Sequence, residues 1–182
     1  MPSWSQPLVV KLPGIGRDLA LFDSATQKVR PTAPGEVAKI YVCGITPYSP
    51  SHIGHARQAI AFDIIVRWLR KSGLIVNHIT NFTDIDDKIM RTAAELGEDI
   101  SVLSQRYAQA YFEDMAALNN LEPTITPYAT EHIPEMISMT RVLIEKGHAY
   151  ESDGHVLFAV QSMDTYGQLS GRSLDDMLAG AR

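Results

Sequence analysis

Residues 39–55 read KIYVCGITPYSPSHIGH. Lys39 to Cys43 is a short β-branched run closed by Gly44, which predicts a strand. A loop with two prolines, Pro47 and Pro50, follows, and Ser51 is placed to cap a helix running from about His52 to Lys71. Ile53, Ala56, Ile60, Ile64 and Trp68 recur at helical period, and Gly73 closes the helix. Leu74 to Asn81 is a second strand candidate. Strand, helix and strand have the length of a right-handed crossover, so the two strands are expected to be parallel. An α/β class with a Rossmann-like parallel sheet is the resulting expectation.

Downstream, one helix is predicted over Asp84 to Leu96, stopped by Gly97. Another runs over about Ser101 to Asn119, with Leu103, Tyr107, Ala110, Tyr111, Met115 and Leu118 at helical spacing. Pro123 and Pro127 mark a boundary. A further helix is expected over Thr130 to Lys146, with Pro134 in its first turn and Gly147 after its last. Ala149-Tyr150 and His155 to Val160 flank Ser152-Asp-Gly154 and read as a hairpin. Ser173 to Leu178 is a short last helix. Upstream, residues 1–37 are rich in Pro and Gly, and Leu8 to Leu12 and Leu19 to Phe22 are edge-strand candidates. The order is parallel α/β first, then a small α+β piece.

The chain has 182 residues, 45% hydrophobic and 20% charged, the profile of a soluble globular protein with a sizeable core. Cys43 is the only cysteine, so no internal disulfide forms. A lone thiol fits a reducing compartment, or a ligand or nucleophile role. The net charge of −5 argues against a generally basic nucleic-acid footprint. No run approaches the roughly 18 apolar residues of a membrane span. The first residues carry no basic region followed by an apolar stretch and a small-residue cleavage site, so a cytoplasmic location is expected.

Two clusters carry chemistry. The first is Cys43 to Tyr48 followed by His52-Ile-Gly-His55. In open α/β sheets ligands collect beyond the carboxyl ends of the strands. A helix N-terminus there offers unpaired N–H groups and a positive dipole end, suited to phosphate. Two imidazoles can donate hydrogen bonds to a phosphoryl oxygen as it gains charge, and Gly54 leaves room for a flat ring beside the backbone. The same histidines can equally be helix caps. With Cys43 they also have metal-ligand chemistry, although that pattern alone is weak. The second cluster is Asn81 to Lys88, NFTDIDDK, in which Thr83 or Asp84 can cap the next helix. A divalent cation site is possible there, but the spacing does not require one.

The strings YVCGITPY, SHIGHAR and NFTDIDDK together resemble the catalytic domain of class I aminoacyl-tRNA synthetases, in the cysteine-activating branch. His52 to His55 matches the HIGH signature, Cys43 sits at the family's first zinc ligand, and Thr83 to Lys88 matches a further hallmark. The resemblance continues through Glu122-Pro123, Ala129 to Ile133, Gly147 to Tyr150, Tyr166 to Ser170 and Leu174 to Arg182. From about residue 84 onward, Lys88 included, the chain is similar to cysteinyl-tRNA synthetase. Its opening (Ser3-Trp4, Leu12 to Gly14, Val29 to Pro31, Gly44 to Tyr48) is similar to the ligase of mycothiol biosynthesis that joins cysteine to glucosaminyl-inositol. That ligase usually has proline where Lys88 stands.

The resemblance implies a nucleotide-binding domain whose N-terminal extension and first half occupy residues 1–122, with the start of an α+β connective insertion over 123–182. It implies ATP-dependent activation of L-cysteine to cysteinyl-adenylate, with magnesium and zinc, and transfer to tRNA(Cys) or to glucosaminyl-inositol. His52 and His55 would be catalytic, stabilising the α-phosphate. Thr46, His52, Gly54 and His55 would contact ATP, and Gly44, Thr46, Asn81 and Thr83 the cysteine and its adenylate. Cys43 would ligate zinc. In the family the remaining zinc ligands and the KMSKS loop lie further along, as do the tRNA-binding parts, and no such strings occur here. The chain therefore reads as the N-terminal part of such an enzyme, or alternatively as a non-catalytic truncated paralogue that binds nucleotide or a partner. One departure is Gln58, where the family often carries threonine near the nucleotide.

Overall fold

The parallel pair expected from residues 39–81 is the frame on which the site is built. The computed structural model describes residues 18–32 and 35–180. In chain order the elements are β1 (Ala20–Asp23), β2 (Lys28–Pro31), β3 (Val37–Ile45), α1 (Ile53–Lys71), β4 (Ile75–Phe82), α2 (Asp87–Leu96), α3 (Ile100–Ala117), α4 (Ile133–Glu145), β5 (Ala149–Ser152), β6 (His155–Phe158) and α5 (Leu174–Gly180). The strand candidate Leu8 to Leu12 lies outside the described residues. Among the described residues two compact units are distinguished, one of residues 18–19 and 35–131, the other of 20–32 and 132–180.

In the first unit β3 and β4 pair in parallel, from Val37 opposite Ile75 to Val42 opposite Thr80. A third chain segment continues the sheet beyond β4. Phe82 N–H donates to the Pro127 carbonyl at 2.8 Å and Thr80 N–H to that of Ile125 at 3.2 Å, giving parallel bridges at Ile125 and Tyr128. Pro123 and Pro127, which read as a boundary, lie along this segment. Proline has no N–H for a ladder, so the segment pairs only at isolated points.

The helix over 53–71 forms as expected, but it buries a different face. Val66 and Leu69 pack with Ala38, Val76 and Leu121. The stripe picked out by period is the outer one, with Ile53 85% and Ile64 60% exposed. The inner face holds Asp63, a charged residue that masks its apolar character. Asp63 is tolerated there because both carboxylate oxygens are paired, one to a near residue and one to a distant one. Its carboxylate accepts from Leu121 N–H at 2.8 Å and from Arg67 Nε at 2.6 Å, while Arg67 also donates to the Asn119 carbonyl. A buried carboxylate is tolerated only when satisfied in this way.

Phe82, 1% exposed, ends β4 and anchors a second cluster with Ile45, Ala108, Tyr111 and Met115. Its ring meets Tyr111 edge-on at 5.6 Å and stacks on Tyr128 at 5.2 Å. Burial pushes the Tyr111 phenol up to about 12. The start of α2 differs from expectation. Asp86 is its cap, accepting from Lys88 N–H at 2.8 Å, whereas Asp84 is buried and turned elsewhere.

The second unit contains α4, with Pro134 in its first turn, and the antiparallel hairpin β5–β6, in which Ser152 faces His155. Asp153 and Gly154 both take positive φ, 51° and 79°, the requirement of the tight two-residue turn expected from Asp-Gly. Residues 20–32 form the antiparallel hairpin β1–β2, whose turn is tied by the Asp23 carboxylate accepting from Ala25 N–H and the Thr26 hydroxyl.

Gly44, expected to close the first strand, lies inside β3. A Cβ built on it would stand 1.6 Å from the Asn81 carbonyl oxygen. Gly44→Ala is expected to lose at least about 3 kcal/mol of stability in urea unfolding, the scale of a core clash with backbone. Gly73→Ala is the control. It has φ +88° and open space around it, and it is expected to cost only about 1–2 kcal/mol.

Candidate active site

The parallel register breaks once, at the carboxyl end of β3. Val42 still faces Thr80 and Ile45 faces Phe82, so Cys43 and Gly44 together face Asn81. This is a one-residue bulge, and it takes the backbone groups there out of the ladder. Side chains replace the ladder. Gly44 N–H donates to Asn81 Oδ1 at 2.9 Å, and the Cys43 carbonyl accepts from Gln58 Nε2 at 2.7 Å. Asn81 Nδ2 reaches Thr83 Oγ1 at 3.4 Å, and pairing resumes where Thr83 N–H donates to the Ile45 carbonyl at 2.9 Å. Three residues expected to line the amino-acid pocket, Gly44, Asn81 and Thr83, are thus brought into one hydrogen-bonded chain.

Cys43 is exposed and free, beside this chain. Thr46 follows β3, half-buried, and its carbonyl accepts from Tyr48 N–H at 3.0 Å. Pro47 is fully buried. Lys88 Nζ lies 5.6 Å from the Tyr48 ring centroid, so this cation sits over the loop that leads to the histidine helix.

The start of α1 is capped by histidine, and the expected Ser51 cap is not formed. His52 Nδ1 accepts from Gly54 N–H at 3.0 Å, and His55 Nδ1 accepts from His52 N–H at 3.2 Å. The two rings stack with centroids 3.9 Å apart. The physical reason is Gly54: a Cβ there would lie 2.7 Å from His52 Cε1, so only glycine lets the imidazole fold back onto the helix end. The flat ring that Gly54 admits is the protein's own. The Ser51 hydroxyl is buried with no hydrogen-bond partner among the described residues.

This geometry makes the cap and the phosphate donor compatible. An Nδ1 that accepts a backbone N–H carries no proton, so each neutral ring holds its proton on Nε2. Burial, and then the neighbouring His52, hold the His55 imidazole below its usual value, favouring the neutral form. The capped helix end therefore presents two Nε2–H donors together with its dipole.

The metal alternative receives no ligand set. Among the described residues no group of three or more His, Cys, Asp or Glu is arranged to hold an ion. In the second cluster, neither Thr83 nor Asp84 caps α2. Asp84 accepts from Thr130 N–H at 3.0 Å and from Thr130 Oγ1 at 2.5 Å, which binds the chain after the 125–128 segment to the end of β4. That segment and α3 border a cleft of about 820 Å³, lined in part by Asp84, Gln109, Phe112 and Tyr128. Sequence reasoning missed three roles: Asp84 as a clamp, buried His78 bonded to Thr80 at 3.1 Å, and Gln58 on Cys43. Gln58 had a signal, since it follows His55 by one helical turn.

Structural neighbours share the architecture. Mycobacterium tuberculosis methionyl-tRNA synthetase in complex with methionyl-adenylate matches with a TM-score of 0.54 at 21% identity, over 66% of this chain and 28% of that one. Agrobacterium radiobacter LeuRS, in a ternary complex with tRNA and LeuAMS, matches at 0.55 and 22% identity, over 78% of this chain and 20% of that one. The fold is that of a class I synthetase catalytic domain. The family described as tRNA synthetases class I (C) catalytic domain matches residues 28–182, and the chain belongs to it. Among curated relatives, cysteine–tRNA ligase of Saccharophagus degradans is 54% identical over 166 residues, 90% of this chain and 36% of that protein. The cysteine–tRNA ligase of Maricaulis maris is 52% identical over 169 residues, with the same coverage. The chain spans about a third of the length of these relatives. Among the described residues no helix is long and apolar enough to cross a membrane.

The depressed His55 value sets a pH dependence. The unfolded chain takes up the His55 proton near pH 6.5, the folded chain only lower. Stability is complete above that range and falls as pH drops from about 6.5 towards the folded value. Thermal melts between pH 8 and 5 should show this loss, and His55→Gln should reduce it, leaving the part owed to buried His78, whose imidazole burial also holds below its usual value.

Proposed function

We propose that this chain forms the amino-acid-activating N-terminal part of a cysteine–tRNA ligase: it binds ATP and L-cysteine for conversion to cysteinyl-adenylate, from which cysteine passes to tRNA(Cys). The observation that carries this reading is the doubly capped helix start, whose Nδ1 atoms are taken by backbone N–H groups and whose Nε2 atoms are left to donate, after the strand whose carboxyl end carries an exposed cysteine. The relatives reported above are all cysteine–tRNA ligases, which favours tRNA over glucosaminyl-inositol as acceptor.

The chemistry follows from the residues. The cysteine carboxylate attacks the α-phosphate of ATP in line, the C–O–P bond forms, and the bond to the leaving pyrophosphate breaks. Negative charge grows on the α-phosphoryl oxygens, where His52 and His55 Nε2–H and the helix dipole meet it without reorganisation. Asn81 and Thr83 hold polar groups toward the substrate, and Gly44 keeps the wall of the pocket flat. Magnesium accompanies ATP. Cys43 fits zinc as a single soft thiolate donor that is exposed and held by a satisfied backbone, with the remaining ligands supplied by other segments, as the family resemblance implies. Bound there, zinc supplies a soft Lewis acid that takes a thiolate far better than an alcohol, which discriminates cysteine from serine. We place the activity in the cytoplasm and residues 123–182 at the start of the connective insertion. The outer stripe of α1, from Ile53 to Trp68, and the edge of β3 away from β4, unpaired among the described residues, are where the rest of the catalytic domain would pack.

His55→Ala is expected to weaken binding of a non-hydrolysable cysteinyl-adenylate analogue by about 1–3 kcal/mol in titration calorimetry, the scale of a hydrogen bond to a charged group. Unchanged affinity would leave His55 as a cap only.

The 182-residue chain is expected to show little cysteine-dependent exchange of pyrophosphate with ATP, even with zinc and magnesium. Loss of one preorganised donor for the leaving pyrophosphate costs roughly 10²–10³ in rate. Lys88 does not replace it, being engaged over the Tyr48 ring. Robust exchange abolished by His52→Ala would show instead that this chain is a complete minimal activating unit.

A further inference from the structure

The peptide unit joining Cys43 to Gly44 is held from both sides by side chains. Its carbonyl is bound by Gln58 Nε2 from α1 at 2.7 Å, and its N–H is bound by Asn81 Oδ1 from β4 at 2.9 Å. It is also the peptide at which the β3–β4 register slips, so the ladder offers it nothing. Strand backbone next to a bulge is otherwise free to rotate about its flanking dihedrals, and such a rotation would swing the Cys43 side chain. Two anchors on opposite ends of one amide fix the plane of that amide. Gly44 has no side chain to hinder the plane, because a Cβ would strike the Asn81 carbonyl.

Cys43 itself contributes little to its own orientation. Its side chain is exposed, and among the described residues its sulfur reaches only the neighbouring Gly44 carbonyl, at 3.9 Å. The aim of the thiol is therefore set through the backbone. We propose that Gln58 is a positioning residue, which with Asn81 clamps the 43–44 peptide and so fixes the direction in which the Cys43 thiol leaves the sheet. This rests on the reading of Cys43 as one ligand of the zinc that selects the substrate thiol. It gives Gln58 a task different from the nucleotide contact that the family resemblance attaches to that position. Because Gln58 follows His55 by one turn of the same helix, the clamp also ties the thiol to the helix whose start receives the phosphate. The two halves of the substrate thereby acquire a common reference frame.

The single cysteine makes the test direct. Cys43 is labelled with a methanethiosulfonate nitroxide in the full chain, and the spectrum of the label is compared among wild type, Gln58→Glu, Gln58→Thr and Gln58→Lys. Glutamate keeps the shape and removes the donor. Threonine is too short to reach the carbonyl. Lysine restores a donor of similar reach. The expected result is a slow component in wild type, a shift to fast motion in the first two variants, and recovery with lysine. Amide exchange at Gly44 should accelerate about tenfold in Gln58→Glu, the size of one lost hydrogen bond, while Ile40 and Tyr41 keep their protection. In pyrophosphate exchange by a polypeptide that supplies the remaining zinc ligands and the lysine loop, Gln58→Glu should lower kcat/KM for cysteine about tenfold, a loss of positioning, and leave KM for ATP unchanged.

An unaltered label spectrum and unaltered Gly44 exchange in both donor-less variants would overturn the clamp. So would a changed label with no separation between the cysteine and ATP constants. Absence of any cysteine-dependent exchange in the wild-type polypeptide would instead sink the function proposed for Cys43, and the label and amide results would then decide the clamp alone.

Discussion

The site depends on a single slip of register between two parallel strands. A parallel ladder satisfies every backbone group only while residues advance in step. Where Cys43 and Gly44 together face Asn81, one carbonyl and one N–H fall out of step at the end of the ladder, and such groups are costly unless paired. The pairing comes from an amide side chain on each flank. Those two side chains then determine which residues stand around the crevice. Asn81 couples the bulge to Thr83, and Gln58 couples it to the helix that begins with the histidines. A carboxyl-end crevice is common to open α/β sheets, and here its shape follows from how the bulge is satisfied.

The histidine pair shows how a structural demand and a chemical one can be met by the same atoms. A helix end leaves N–H groups unsatisfied. Serine, threonine or aspartate would satisfy them and offer nothing else. An imidazole accepts with Nδ1 and still carries a proton on Nε2, so capping selects the tautomer that donates outward. The requirement for glycine at position 54 is then mechanical, because the ring occupies the volume of a Cβ. The stacking of the two rings brings His52 against His55, in line with the lowered His55 value.

Two buried carboxylates do comparable work away from the site. Asp63 holds the turn at residues 119–121 through Leu121 N–H and Arg67. Asp84 holds Thr130 by both its backbone and its hydroxyl. Both fix irregular chain that a ladder cannot reach, because Pro123 and Pro127 deprive the segment beside β4 of donors. Tyr128 packs on Phe82 between these two points, and burial with the nearby Asp84 and Glu131 raises its phenol above the usual value.

Much was legible in order and period. The β-branched run at 39–43, the helix after it, the strand to Asn81 and the Asp-Gly hairpin are local signals, and each appears within a few residues of its expected place. The strings around Cys43, His52 and Asn81 likewise carried the family, since side-chain chemistry at fixed spacing is a property of the chain itself. What the sequence could not determine was which way things face. The apolar stripe that period picks out on α1 lies on its outer side, and the buried face went unread because Asp63 reads as polar until its partners, 58 residues away in the case of Leu121, are known. The caps shifted from Ser51 to His52 and from Thr83 or Asp84 to Asp86 because each position has several donors or acceptors in reach and only the tertiary fold removes the others. Gln58 looked like a departure from a family contact, and its bond to Cys43 spans 15 residues. A linear pattern specifies periodicity and chemistry, but the choice among competing hydrogen-bond partners is made by contacts between distant segments, and those exist only once the sheet has closed.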